Sequence, residues 1–255
     1  MKLSESTWQE VESYLAKCPG ILIPIGSTEQ HGPVGLIGTD SFCASAIAEA
    51  SAEFSNALVA PPICFTPAQF NETFPGTISI SSSTLMQLVS DMVHSLARQG
   101  FQYFYFLNGH GANLAPLKAV CHDLTAEFSR RENAAKIRFR IRSWWDYSET
   151  DSLRNQLYGV GEGLHGTPSE IAITRAFLRR VKAPSDLKAP PPLTKSFIKN
   201  HAGDFHLDAD HHRNQFPDGR VGSDSDKGSA SDGQRFLEVA AKEAASDYLE
   251  FLEES

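Results

Sequence analysis

The spacing of apolar positions changes several times along the chain, and each change predicts an element. Trp8, Val11 and Leu15 share one helical face behind Thr7 and Glu10, which have capping-box spacing, and Pro19 with Gly20 ends that helix. The run from Ile21 to Ile25 is continuously apolar, as in a strand covered on both faces. Residues 40–54 are alanine-rich and read as a helix, and 56–63 read as a second short strand. Leu85, Leu88, Val89, Met92, Val93 and Leu96 repeat with helical period up to Gly100. The stretch FQYFYFLNG (101–109) predicts an aromatic-rich strand that breaks at Asn108-Gly109. A helix over 113–131 and a strand over 137–143 follow. Beyond them come a helix over 168–180, a proline-rich connection at 183–193, an ordered or semi-ordered loop excursion over 200–227, and a last helix over 228–252.

Strand and helix alternate through residue 143, an order that favours parallel strands joined by right-handed crossovers in an α/β layered fold. With no internal repeat, residues 1–255 read as one domain, long enough for a sizeable core. Open parallel sheets bind ligands at the carboxyl ends of their strands. Two histidine-bearing loops leave predicted strands at that edge: Glu29 and His31 follow 21–25, and His110 follows 101–107.

Composition removes several function classes. The net charge of −8 argues against a nucleic-acid partner, whose phosphates need clustered Lys and Arg, and the one basic cluster does not read as such a patch. Arg138, Arg140 and Arg142 alternate with Ile137, Phe139 and Ile141, so they form the basic face of a strand. No run is long enough to span a membrane, and MKLSESTWQE lacks the apolar core of a signal peptide, so a cytoplasmic protein with no membrane partner is expected. The four cysteines form no CxxC pair and read as free thiols. Neither a GxSxG elbow nor a P-loop is present.

The candidate chemistry is metal binding. Glu29 and His31, two apart, point to one side of an extended segment. Asp40 opens a helical pattern after Gly38-Thr39, where its two oxygens can bridge two cations, and His110 sits between glycines in NGHGAN (108–113). Mixed carboxylate and imidazole donors suit zinc or manganese, with iron a further candidate. A polar surface loop is the bland alternative. His201, His206, His211 and His212, with Asp204, Asp208 and Asp210, form a rival cluster. A solvated loop is the simpler reading for most of them, with one or two histidines reaching the site.

Three motifs in order, GSTEQHGPVGLIGTD (26–40), FPGTISI (74–80) and FLNGHGAN (106–113), together with GSDSDKGSASDGQ (222–234), resemble the creatininase (creatinine amidohydrolase) family. The resemblance implies a three-layer α/β/α sandwich with a mainly parallel central sheet, two divalent ions per subunit and a homo-oligomer, usually a hexamer. It further implies a metal-dependent amidohydrolase that cleaves a non-peptide C–N bond of a small amide, cyclic amide or formamide by a metal-bridged hydroxide. Carried over, Glu29, Asp40 and His110 bind one ion, and His31 and Asp40 the other.

The second ion needs another carboxylate, and Ala112 stands where the family places a glutamate. Two later stretches resemble the family's alternative motif: HAGDFH (201–206), which ends on His206, and HGTPSE (165–170). Glu170 is the expected ligand because it opens an apolar-periodic helix through Ile171, Ile173, Ala176 and Phe177. Its alternative role is that of a first-turn acid favoured by the helix dipole. His165 then resembles the family's proton-transfer histidine. Gly161-Glu162 replace a Trp-Asp pair and Gly111 a tyrosine of creatininase proper, which implies a substrate other than creatinine. Gly111, with Gly109, and Glu162 are the expected substrate-binding positions. FPGTISI reads equally as a pocket wall or as a turn into a strand, and Trp144, Trp145 and Tyr147 as core or interface residues. The alternatives are a deformylase-like enzyme of cofactor biosynthesis and a metal-binding family member without activity. Retention of His165 argues against the latter.

Overall fold

A computed structural model describes residues 1–130, 136–201 and 208–254. The helices are α1 (Trp8–Leu15), α2 (Thr39–Ser55), α3 (Ser82–Gln99), α4 (Leu114–Ser129), α5 (Ser148–Leu157), α6 (Pro168–Phe177), α7 (Lys195–His201), α8 (Ala209–Gln215) and α9 (Ala230–Glu253). The strands β1 (Gly20–Ile25), β2 (Tyr103–Asn108) and β3 (Arg138–Ser143) form a parallel sheet in that order. Ile25 pairs with Asn108 and Asn108 with Ser143, so all three strands end level.

Period-two alternation divides the core between the two faces of this sheet. Ile21, Ile23, Ile25, Phe104 and Phe106 meet Leu85, Val89 and Val93 of α3 and Leu117, Val120 and Leu124 of α4. Leu22, Tyr105 and Leu107 face the other way, onto Cys43 and Ile47 of α2, Ala172 and Ile173 of α6, and Phe236, Ala240, Ala244 and Tyr248 of α9. The result is the three-layer α/β/α arrangement expected from the sequence. The basic face of β3 turns to acids of α9: Arg140 and Arg142 reach the Asp247 carboxylate at 2.6 and 3.0 Å.

The second predicted strand, 56–63, forms only isolated bridges to β1, Leu22 with Val59 and Ile25 with Ile63. The cause is proline on both sides of the ladder. Pro24 has no N–H to give between the bonds that the Leu22 and Gly26 amides make to Leu58 and Ile63, and Pro61-Pro62 interrupt the opposite segment. Helix α5 was not predicted, because SETDSLRNQL buries only Thr150 and shows no apolar stripe. The loop expected over 200–227 contains α8, capped by the Asp208 carboxylate on the His211 amide at 3.0 Å. Arg131, Asp204, His206 and the side chain of His201 lie outside the described residues.

Phe236 of α9 is fully buried, its ring stacked on Tyr158 with centroids 6.1 Å apart, whereas Phe54 on α2 is 53% exposed. Phe236→Ala should therefore cost about 3–5 kcal/mol of unfolding free energy. Phe54→Ala should cost less than about 0.5 kcal/mol. Urea midpoints at unchanged m-value measure both.

Candidate metal centre

The level ends of β1 and β2 set the two histidine-bearing loops side by side, and α2 docks its first turn against both. The docking needs two glycines. A Cβ on Gly26 would lie 2.3 Å from the Ser41 amide nitrogen, and one on Gly109 would lie 2.4 Å from the Asp40 carbonyl oxygen. Asp40, the second residue of α2, is thereby pressed between the strand ends, where the helix dipole favours its charge. Ser27 Oγ donates to Asp40 Oδ2 at 2.7 Å. The NGH turn is held by Asn108, whose Oδ1 accepts from the His110 amide at 3.1 Å and from Asn113 Nδ2 at 3.2 Å.

The Asp40 carboxylate lies between two imidazoles. Its Oδ1 is 2.7 Å from His31 Nε2, and its Oδ2 is 3.0 Å from His110 Nδ1. His110 Nδ1 also stands 3.1 Å from Glu29 Oε1, and His31 Nε2 stands 4.0 Å from Glu170 Oε1. His165 Nδ1 is 3.6 Å from Glu29 Oε1. Among the described residues, three groups have donor atoms within 4.8 Å of one another: Glu29–Asp40–His110, His31–Asp40–Glu170 and Glu29–His31–His165. The first two share Asp40.

Each histidine spends its other ring nitrogen on a backbone carbonyl. His31 Nδ1 donates to the Glu29 carbonyl at 3.1 Å, His110 Nε2 to that of Pro67 at 2.8 Å, and His165 Nε2 to that of Gln30 at 2.6 Å. A ring nitrogen facing a carbonyl must carry a proton, which leaves the opposite nitrogen turned to the carboxylates, where it can hold either a proton or a cation. Metal-ligating histidines are oriented in this way.

Burial alone would lower the pKa of His31, but the Asp40 and Glu170 carboxylates outweigh it and raise it to about 10. His110, opposed by burial, is held well above its usual value by Glu29 and Asp40. Burial would raise Asp40, and the two histidines instead hold it well below the carboxylate range. Glu29 is likewise lowered, against burial, by His110 and His165. Burial carries Glu170 up to about 7 and His165 down to about 4. The chain alone thus balances its buried carboxylates with protons on His31 and His110. Divalent cations in their place would keep each of these donor atoms partnered. Glu29 Oε1 is fully buried and accepts no well-aligned hydrogen bond, its neighbours being His110 Nδ1 at 3.1 Å and His165 Nδ1 at 3.6 Å. The donor set fits metal ions.

Glu170 belongs to a capping box at the start of α6: its carboxylate accepts from the Thr167 amide while Thr167 Oγ1 accepts from the Glu170 amide. Gly111, half-buried, begins the turn after His110. Glu162 joins none of the three groups; it accepts from Arg154 Nε at 2.9 Å and from Ser169 Oγ, and lines a separate cavity of 210 Å³. Its Oε2 is buried and unpartnered. FPGTISI is a turn with isolated bridges rather than a strand: Ile78 pairs with Thr28, and Thr77 Oγ1 accepts from the Gln30 amide at 3.2 Å.

No pattern in the sequence marks Asn71 as a site residue. Its Nδ2 donates to Glu29 Oε2 at 3.0 Å and its Oδ1 accepts from Gln30 Nε2 at 2.8 Å. It lies in a short 3-10 turn (Gln69–Asn71) with no periodic pattern. Beside it, the Phe70 ring centroid is 6.2 Å from those of both His110 and His165.

A family model described as creatinine amidohydrolase matches residues 4–247. The mycofactocin precursor peptide peptidase of Mycolicibacterium smegmatis is 37% identical over 124 residues, covering 46% of this chain and 49% of that protein. The creatinine amidohydrolase of Pseudomonas putida is 29% identical over 166 residues, covering 62% and 63%. The 3-dehydro-scyllo-inosose hydrolase of Thermotoga maritima is 31% identical over 106 residues, covering 41% and 34%. The chain spans about half the length of the curated relatives it matches. A mutant creatininase of Zn-Zn type superposes with TM-score 0.77 at 24% identity, over 99% of this chain and 98% of that one. A manganese creatininase superposes with TM-score 0.71 at 24% identity, over 99% of both. At these identities the likeness is one of fold.

Asn71→Leu removes the donor that holds Glu29 Oε2 and strands a buried acceptor. The metal-free protein should lose about 1–3 kcal/mol of unfolding free energy in a urea titration. An unchanged midpoint would mean that Asn71 does not hold the carboxylate.

Proposed function

As this chain belongs to the creatininase family, we propose that it is a binuclear metal-dependent hydrolase of a non-peptide C–N bond in a small amide, cyclic amide or formamide. The observation that carries the reading is the Asp40 carboxylate, with one oxygen 2.7 Å from His31 and the other 3.0 Å from His110. Glu29, Asp40 and His110 are the proposed ligands of one ion, and His31, Asp40 and Glu170 those of the other. Zinc and manganese are the proposed metals, supported by the donor types and by the Zn-Zn and Mn forms of structural relatives. Such ions, when bound, polarise a carbonyl and make water acidic enough to attack at neutral pH.

The remaining work falls to side chains. His165 Nε2 is committed to the Gln30 carbonyl, so Nδ1 carries the free lone pair beside Glu29. Burial keeps the ring neutral near pH 7, its pKa lowered to about 4. Nδ1 therefore accepts a proton from the attacking water and returns it to the departing nitrogen as the C–O bond forms and the C–N bond breaks. Gly111 is the proposed backbone contact beside His110, and Glu162 is a proposed contact for a substrate that extends into the cavity it lines, away from the three donor groups. A peptide C–N bond is the second reading, favoured by the 37% identity to the mycofactocin precursor peptide peptidase. The four free cysteines support the cytoplasm as location. No described helix is long and apolar enough to cross a membrane. A homo-oligomer, hexameric as in the family resemblance, is the proposed assembly.

Metal analysis after loading with zinc or manganese should give about two ions per chain, and turnover of at least one among creatinine, cyclic amides, formamides and short peptides. Asp40→Asn should lose both ions, whereas Glu170→Gln should keep one. His165→Ala should keep both ions and lose about 100-fold or more in turnover. Two tightly held ions in Glu170→Gln would remove Glu170 from the ligand set. Two ions with no turnover across the panel would favour a non-catalytic protein.

A further inference from the structure

The reaction proposed above leaves one buried histidine unused. His212, on α8, is 5% exposed, and its Nε2 has no hydrogen-bond partner. Helix α8 is fastened to the segment that carries Asn71. Thr73 Oγ1 donates to the Ala209 carbonyl at 3.3 Å, and the Arg213 guanidinium donates to the Thr73 carbonyl while standing 4.8 Å over the Phe74 ring. The His212 ring is held between Phe70 and Phe216, each with its centroid 5.2 Å away. Phe70 in turn meets His110 and His165. Phe70 therefore links His212 to the centre, and the Glu29 carboxylate is among the charges that act on its ring. It belongs to none of the metal-type groups among the described residues.

We propose that His212 is a specificity-determining residue of the same site, hydrogen-bonding through Nε2 an uncharged polar group on the part of the substrate remote from the breaking bond. The proposal rests on the metal-hydrolase reading. Burial lowers the His212 pKa, so the ring is neutral and its Nε2 either donates or accepts according to tautomer. A carboxamide, which does both, matches either state. The ring is 5% exposed between two phenyl rings, so a ligand lacking that group would leave a buried nitrogen unsatisfied. Sites built in this way discriminate strongly.

The test uses zinc-loaded protein and three hydroxamates that chelate metal through the same head. Acetohydroxamate carries the head alone, while N-hydroxymalonamide and N-hydroxysuccinamide add a carboxamide at two tail lengths. In calorimetric titrations one carboxamide probe should bind wild type about tenfold or more tightly than acetohydroxamate. His212→Phe should bring that advantage within about threefold, and His212→Gln should restore part of it. Zinc content and acetohydroxamate affinity should stay unchanged in both variants. In wild type, the isotope-labelled Nε2 resonance of His212 should shift with the carboxamide probe and not with acetohydroxamate, a readout that needs no variant to fold. No advantage in wild type, an advantage that survives His212→Phe, or a silent Nε2 resonance would overturn the proposal. Failure of acetohydroxamate to bind zinc-loaded protein would instead remove the metal reading beneath it.

Discussion

Everything at the carboxyl edge of the sheet depends on one buried carboxylate kept charged. Asp40 is 3% exposed, and Glu29, His31, His110 and Glu170 around it are 8% exposed or less. Burying ionised groups is expensive unless they are paired and hydrogen-bonded. Three devices offset the expense here. Asp40 and Glu170 occupy the first turns of α2 and α6, where unpaired amides favour negative charge. Ser27, Asn71 and Thr167 each donate to one of the carboxylates. The opposing imidazoles take up the remaining charge. Removing any of these leaves a buried charge without its partner, which is why the surroundings are built as tightly as the centre.

The sheet makes that arrangement possible. Adjacent parallel strands in register bring two loops, separated by nearly the whole of α2 and α3 in sequence, to the same place. Neither loop could position its histidine alone. The first leans on Thr77 and Ile78, the second on Asn108 and Asn113, and both rest on the first turn of α2 through glycines that admit no side chain. Fold and site are in this sense one problem. The short side chains and close backbone approaches that look like loop composition in the sequence are packing requirements set by Asp40.

How much of this the sequence carried follows from the range of each signal. The apolar run of β1, the aromatic-rich strand β2, the stripe of α3 and the capping of α1 are local patterns, and the structure has them. So were Glu29, His31, Asp40 and His110 as a group, because each stands in a motif at a predicted strand or helix end. The strand expected over 56–63 failed on its own Pro61-Pro62 and on Pro24 of its neighbour, and a reading of the segment alone does not include the latter. Helix α5 is polar and owes its place to Glu243 of α9, whose carboxylate accepts from the Thr150 amide at 2.9 Å. Asn71 was invisible as a site residue for the same reason: its importance lies in what it meets across the fold, and no periodicity records that. His212 stood in the sequence only as one of a histidine cluster, of which one or two members were expected to reach the site.

The position of Glu170 shows what a shifted carboxylate entails. With Ala112 beside His110, the second group of donors draws on α6 rather than on the loop after β2. That carboxylate is not free to swing, since the Thr167 amide holds its Oε1, the same oxygen that stands 4.0 Å from His31 Nε2. Helix capping and metal-type geometry therefore act on one atom. The alternative reading of Glu170, a first-turn acid, is then not a rival to its role at the centre: the cap fixes the rotamer that a ligand at this position would need. A carboxylate supplied from a rigid helix start also leaves the turn at Gly111 and Ala112 without a bulky side chain.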